Sequence, residues 1–98
     1  MTDIEKKRWL FSSGEIFKEL RIGKGYSSYE NFATDFLIDR KQYWRIESGS
    51  NLTQFTILRI LKIHKLPVSS FYIMVENKFN NNSNNYPEGM PSAKTNRQ

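Results

Sequence analysis

Arg40, Lys41, Trp44 and Arg45 are the residues of this chain whose types and spacing point to chemistry. They fall on one side of a short helix predicted between Asp39 and Gly49, because Tyr43 and Ile46, three residues apart, take the other side. Asp39 and Glu47 are the only acids in that stretch. A solvated helix face ordinarily mixes its charges, so three cations around an indole suit an anionic partner. Arginine and lysine donate to guanine O6 and N7 or to phosphate oxygens, and an indole can lie against a thymine methyl or a sugar edge. Two plainer roles compete. The face can be a solubilising surface, and Trp44 can pack on neighbouring side chains.

Catalysis is not expected. The sequence holds no Ser-His-Asp set, no paired carboxylates in a plausible pocket and no phosphate-cradling glycine loop. It has no cysteine and one histidine, His64, so no disulfide, metal site or cofactor is expected. His64 itself reads as a partly buried packing residue with one hydrogen bond.

The elements that must position the cationic face follow from caps and periodicity. Ser27 and Glu30 form a capping-box pattern that opens a helix, with Phe32, Ala33 and Phe36 on its apolar side. Asp39 is the N-cap of the next helix and Gly49 its left-handed stop. Upstream, Thr2 or Asp3 can cap a first helix. Ser12-Ser13-Gly14 is read as a break in it, with a continuous helix as the alternative. Glu15 to Gly23 is the stronger helix, with Ile16, Phe17 and Leu20 on one side.

Downstream, Thr53 caps a helix from Gln54 to His64. Phe55, Leu58 and Leu61 form one apolar row and Ile57, Ile60 and Ile63 a second. A strand is the competing reading, because isoleucine favours one. Pro67 then opens a short amphipathic helix carrying Val68, Phe71, Tyr72 and Val75. Beyond Glu76 the chain turns rich in Asn with Pro, Gly and Ser, which predicts a disordered tail.

The 98 residues suffice for one small domain. A net charge of +5 favours polyanions, nucleic acid first and an anionic membrane second. No apolar run approaches the ~20 residues needed to span a bilayer. The opening MTDIEKKRW has no apolar stretch of a signal peptide behind it, so a cytoplasmic chain is expected.

These spacings resemble the lambda-repressor-like, Cro-type helix-turn-helix DNA-binding domain, also known from the xenobiotic-response-element type. The resemblance runs from about Ile16 to Tyr72. It is carried by Leu20-Arg21, Gly25-Tyr26-Ser27, Phe32-Ala33, Ile38-Asp39-Arg40, Arg45-Ile46-Glu47-Ser48-Gly49, Asn51-Leu52-Thr53 and Leu58. Leu37 stands where the family usually has glycine in the turn, which raises the cost of a left-handed residue by about 1 kcal/mol. Ser28 stands where glutamine is frequent.

The resemblance implies an all-α, compact five-helix domain over 15–76. It leaves 1–14 as a partly helical N-terminal extension and 77–98 as the tail. The expected core is Ile16, Phe17, Leu20, Phe32, Ala33, Phe36, Ile38, Ile46, Leu58 and Leu61. The implied function is sequence-specific binding of double-stranded DNA by a transcriptional regulator, with helix 40–48 in the major groove. Arg40, Lys41, Trp44 and Arg45 would contact bases. Ser27, Ser28, Tyr29, Gln42, Ser50, Asn51 and Thr53 would contact phosphates. An ion pair between Arg21 and Glu47 would be structural. A homodimer is implied as well. The alternative is a protein-interaction module, an antitoxin or adaptor, using the exposed aromatics Trp9, Trp44 and Tyr43. Trp9, Leu10 and Phe11, or the helix over 68–75, would then meet a protein partner.

Overall fold

The computed structural model describes residues 1–81. Five helices follow one another: α1 (Asp3–Gly23), α2 (Tyr29–Asp35), α3 (Arg40–Ser48), α4 (Gln54–His64) and α5 (Val68–Asn81). There is no strand among the described residues. α1 is the spine; it lies against α3 and α5, while α2 packs on α3 and α4 on α5.

α1 begins at a capping box. The Thr2 hydroxyl accepts from the Glu5 N–H, and the Glu5 carboxylate accepts from the Thr2 N–H. The break expected at Ser12-Ser13-Gly14 does not occur, and the helix runs through without interruption. Ser12 and Gly14 are both buried, and at Gly14 the helix meets the end of α3 so closely that a Cβ would stand 2.4 Å from the Glu47 carbonyl oxygen. At Gly14 low helix propensity is overridden by that contact.

The expected N-terminal extension is thus the first half of α1, and it is packed. Trp9 lies 6.5 Å from the Tyr72 ring and 5.4 Å from Phe79. Arg8 sits over the Phe79 ring and donates to the Phe79 carbonyl at 3.2 Å. Lys78 pairs with Glu19. These contacts hold α5 helical to Asn81, five residues beyond the expected end at Glu76. The remainder of the expected tail, 82–98, lies outside the described residues.

The core comprises Ile16 and Phe17, Phe32 and Ala33, Ile38, Tyr43 and Ile46, Ile60 and Leu61, and Phe71 and Val75. Phe32 is its aromatic centre, within 5.4 Å of the rings of Tyr26, Phe36, Tyr43 and His64. Leu20 and Phe36 are only partly buried at its edge. Leu58 corrects the expectation more sharply: it is 42% exposed. The inward stripe of α4 is Ile57, Ile60, Leu61 and His64, at i, i+3, i+4 and i+7, and this phase turns Phe55 and Leu58 outward. Tyr43 is fully buried, so it is not one of the exposed aromatics.

Candidate functional site

α3 is short and firmly bracketed. The Asp39 carboxylate accepts from the Gln42 N–H at 3.0 Å, and Gly49 closes the helix at φ 93°. Tyr43 and Ile46 anchor its underside in the core. Arg40, Lys41, Trp44 and Arg45 are consequently exposed on its outer side.

The helix before it, α2, starts one residue later than expected. Ser28, not Ser27, is the N-cap, accepting from the Asn31 N–H at 3.2 Å. Ser28 has the extended backbone a cap needs (φ −107°, ψ 128°). Its hydroxyl donates to the Glu30 carboxylate at 3.2 Å, so Glu30 reaches the cap's side chain rather than the backbone of Ser27. The link from α2 to α3 passes through Leu37 at φ 58°. Its carbonyl accepts from the Arg59 guanidinium at 2.8 Å, which ties the turn to α4.

Two recesses flank α3. The larger, about 410 Å³, is lined by Tyr29, Glu30, Arg40, Lys41, Trp44 and Arg45. The other, about 350 Å³, is lined by Gln42, Arg45, Ser50, Asn51, Leu52, Thr53 and Thr56. Arg45 belongs to both. The four residues expected at bases therefore share one groove, joined by Tyr29. Gln42, Ser50, Asn51 and Thr53 gather on the opposite flank. Ser28 is occupied as a cap, Thr53 caps α4, and Ser27 is exposed outside both recesses.

The electrostatics of this face follow from one buried ion pair. Arg21 Nε donates to Glu47 Oε2 at 2.7 Å and Nη2 to Oε1 at 3.0 Å, a fork on both carboxylate oxygens. Nη1 donates to the Tyr26 carbonyl at 2.8 Å. Arg21 is 4% exposed. The bond to Glu47 raises the Arg21 pKa against the opposing effect of burial. Glu47, the acid of α3 beyond its cap, is thus neutralised from below. Arg40, Lys41 and Arg45 have no ion pair among the described residues. Glu30 is the one carboxylate lining the groove beside them.

Two buried polar atoms lack hydrogen-bond partners among the described residues: the Tyr43 hydroxyl and His64 Nε2. Burial pushes the Tyr43 phenol up, with Glu47 adding to the effect. Burial also holds His64 below its ordinary value, assisted by the Lys24 charge. His64 stacks on Phe32 at 5.4 Å with rings 8° apart, a packing role, and its buried Nε2 has no hydrogen-bond partner among the described residues.

Sequence reasoning missed Gly14, whose lack of a side chain sets the approach of α1 to α3, and Glu30 and Thr56 as recess-lining groups. The flexible-looking SSG run was the available signal for Gly14. No group of three or more metal-ligating side chains occurs among the described residues, and no helix there is long and apolar enough to cross a membrane. No family model matches the chain, no curated protein matches it, and no solved structure matches its fold.

Proposed function

We propose that the chain is a sequence-specific double-stranded DNA-binding transcriptional regulator that lays α3 in the major groove. The observation that carries the reading is the outer face of α3. It holds three cations free of ion pairs among the described residues, arranged around an exposed indole, while its own acid is tied to Arg21. Arg40 and Lys41 stand at the N-terminal end of the helix, the end nearest base edges when a short recognition helix enters the groove. Ser50, Asn51 and Thr53 on one flank and Tyr29 on the other are suited to phosphate oxygens, which set register rather than sequence. Helix α2 and the Leu37 turn hold α3 at a fixed angle to the body of the domain.

A single small domain covers little DNA, and we assign a second copy of the chain to the apolar groove between α4 and α5. Gln54, Ile57, Leu58, Val68 and Tyr72 line it, and Leu58 is 42% exposed there. Two copies would read half-sites about one helical turn, 34 Å, apart. Sedimentation of the wild type and of Leu58→Lys tests this; a wild type that stays monomeric on its site removes the dimer.

Selection of bound duplexes from random DNA, followed by anisotropy at several salt concentrations, tests the main reading. Affinity should fall steeply with salt. Arg40→Ala should cost about 1–3 kcal/mol and relax one base position. If Arg40→Ala and Arg45→Ala together leave affinity unchanged, α3 is not the reading helix.

A second reading, a protein-interaction module, is favoured by Phe55, which is 81% exposed on the outer side of α4. An aromatic-centred protein interface would respond weakly to salt, which separates the two.

A further inference from the structure

Trp44 is the residue on the α3 face that charge alone does not explain. The residue is 54% exposed, and its indole has no ring contact or hydrogen bond among the described residues. Its backbone carbonyl is used, accepting from the Ser48 hydroxyl at 2.7 Å, but the indole is not. More than half of the residue is left to solvent, so packing against the protein accounts for only part of it. Full burial of a large aromatic would have added stability that this position forgoes. The indole lies in the groove of about 410 Å³ with Arg40 and Lys41 one turn before it and Arg45 beside it.

Cations on both sides along the helix would draw that face onto phosphates and guanine edges. The apolar group they carry with them then needs an apolar partner. On the floor of the major groove one such group exists, the C5-methyl of thymine; the other exposed edge atoms are hydrogen-bond donors and acceptors.

We infer that Trp44 is a specificity-determining residue that reads the 5-methyl group of a thymine, an inference that rests on the DNA-binding reading above. Arg40, Lys41 and Arg45 supply attraction and guanine or phosphate contacts. Trp44 adds a position at which thymine is preferred over cytosine and also over uracil.

The experiment uses the full chain and a duplex selected from random DNA. Each thymine is replaced singly by deoxyuridine, which removes the methyl and leaves every hydrogen-bonding edge unchanged. Binding is followed by fluorescence anisotropy of labelled DNA. One position should lose about fourfold in affinity, the value of one buried methyl-sized group. Trp44→Ala should bind the thymine and uracil duplexes alike at that position, and Trp44→Phe should keep part of the preference. Because Trp44 is outside the core, both variants should retain the wild-type helical circular dichroism. The inference is overturned if the wild type binds every deoxyuridine duplex as well as its parent, if Trp44→Ala keeps the fourfold preference, or if the selected site has no thymine. Enrichment of no duplex at all would remove the DNA reading and this inference together, whereas a selected site indifferent to uracil removes this inference alone.

Discussion

Gly14 and Glu47 meet backbone to backbone: a Cβ on Gly14 would stand 2.4 Å from the Glu47 carbonyl oxygen and 3.0 Å from the Gly49 nitrogen. The contact is reciprocal. Gly49, at φ 93°, has the Leu10 carbonyl oxygen 3.1 Å from where its own Cβ would be. Helix propensity alone would favour Gly14→Ala by up to about 1 kcal/mol. The backbone contact reverses that sign, because α1 and α3 must separate to admit a methyl group. Gly14→Ala should lose about 1–2 kcal/mol net of the propensity gain, within the usual range for overpacking. Denaturant unfolding measures it; a stabilised variant would mean that the two helices part without cost.

Arg21 and Glu47 join the same two helices by charge. Arg21 is buried, and its fork leaves neither carboxylate oxygen of Glu47 without a donor. Removing one partner strands a buried charge, so Glu47→Gln should cost about 3 kcal/mol. The double variant Arg21→Met, Glu47→Leu should recover much of that loss, since it removes both charges and keeps apolar volume. Chemical denaturation of the wild type and these two variants measures both changes. A Glu47→Gln protein as stable as wild type would show that the pair contributes nothing to holding α3 in place.

Helix α3 was legible from sequence because its signals agree. Asp39 and Gly49 mark the ends, and Tyr43 and Ile46 fix which side is buried. Arg40, Lys41, Trp44 and Arg45, the α3 residues of the larger recess, followed from that phase. Three features were not legible, each for a physical reason. Gly14 looks like a helix breaker until the opposing backbone of α3 is known. The two apolar rows of α4 leave its phase open, and only packing decides for Ile57 and Ile60 over Leu58. The contacts of Arg8 and Trp9 with Phe79 join segments some 70 residues apart, one of them polar in composition, where no local pattern reports the partner.

Leu37 shows a local rule broken in the folded chain. It sits at φ 58° with 86% of its surface exposed, so it carries the strain of a left-handed residue and gains little from burial. Its carbonyl still binds Arg59, an interaction that needs no particular side chain at this position. Leu37→Gly relieves about 1 kcal/mol of backbone strain, and the greater entropy of glycine in the unfolded chain offsets part of it. The expected outcome is a gain of up to about 1 kcal/mol, seen as a rise of a few degrees in Tm. Lys65, at φ 53° on the C-cap of α4, should respond to glycine in the same direction. A loss of stability in Leu37→Gly would show that the leucine side chain has packing value despite its exposure.

His64 gives the fold a pH dependence of definite sign. Burial against Phe32 holds its pKa below the 6.5 of an exposed histidine, and the Lys24 charge acts in the same direction. As pH falls through 6.5 the unfolded chain takes up a proton that the folded chain does not. The folded state is then disfavoured, and the loss continues until pH reaches the depressed folded value. Stability from this residue is therefore fully present above about pH 6.5 and declines below it. Replacement by leucine, apolar and similar in bulk, removes the titrating group. Thermal melts at pH 7.5 and 5.5, roughly one unit either side of the ordinary histidine value, should show a larger drop for the wild type than for His64→Leu. Equal drops in the two proteins would mean that the ring takes up its proton without leaving its place on Phe32.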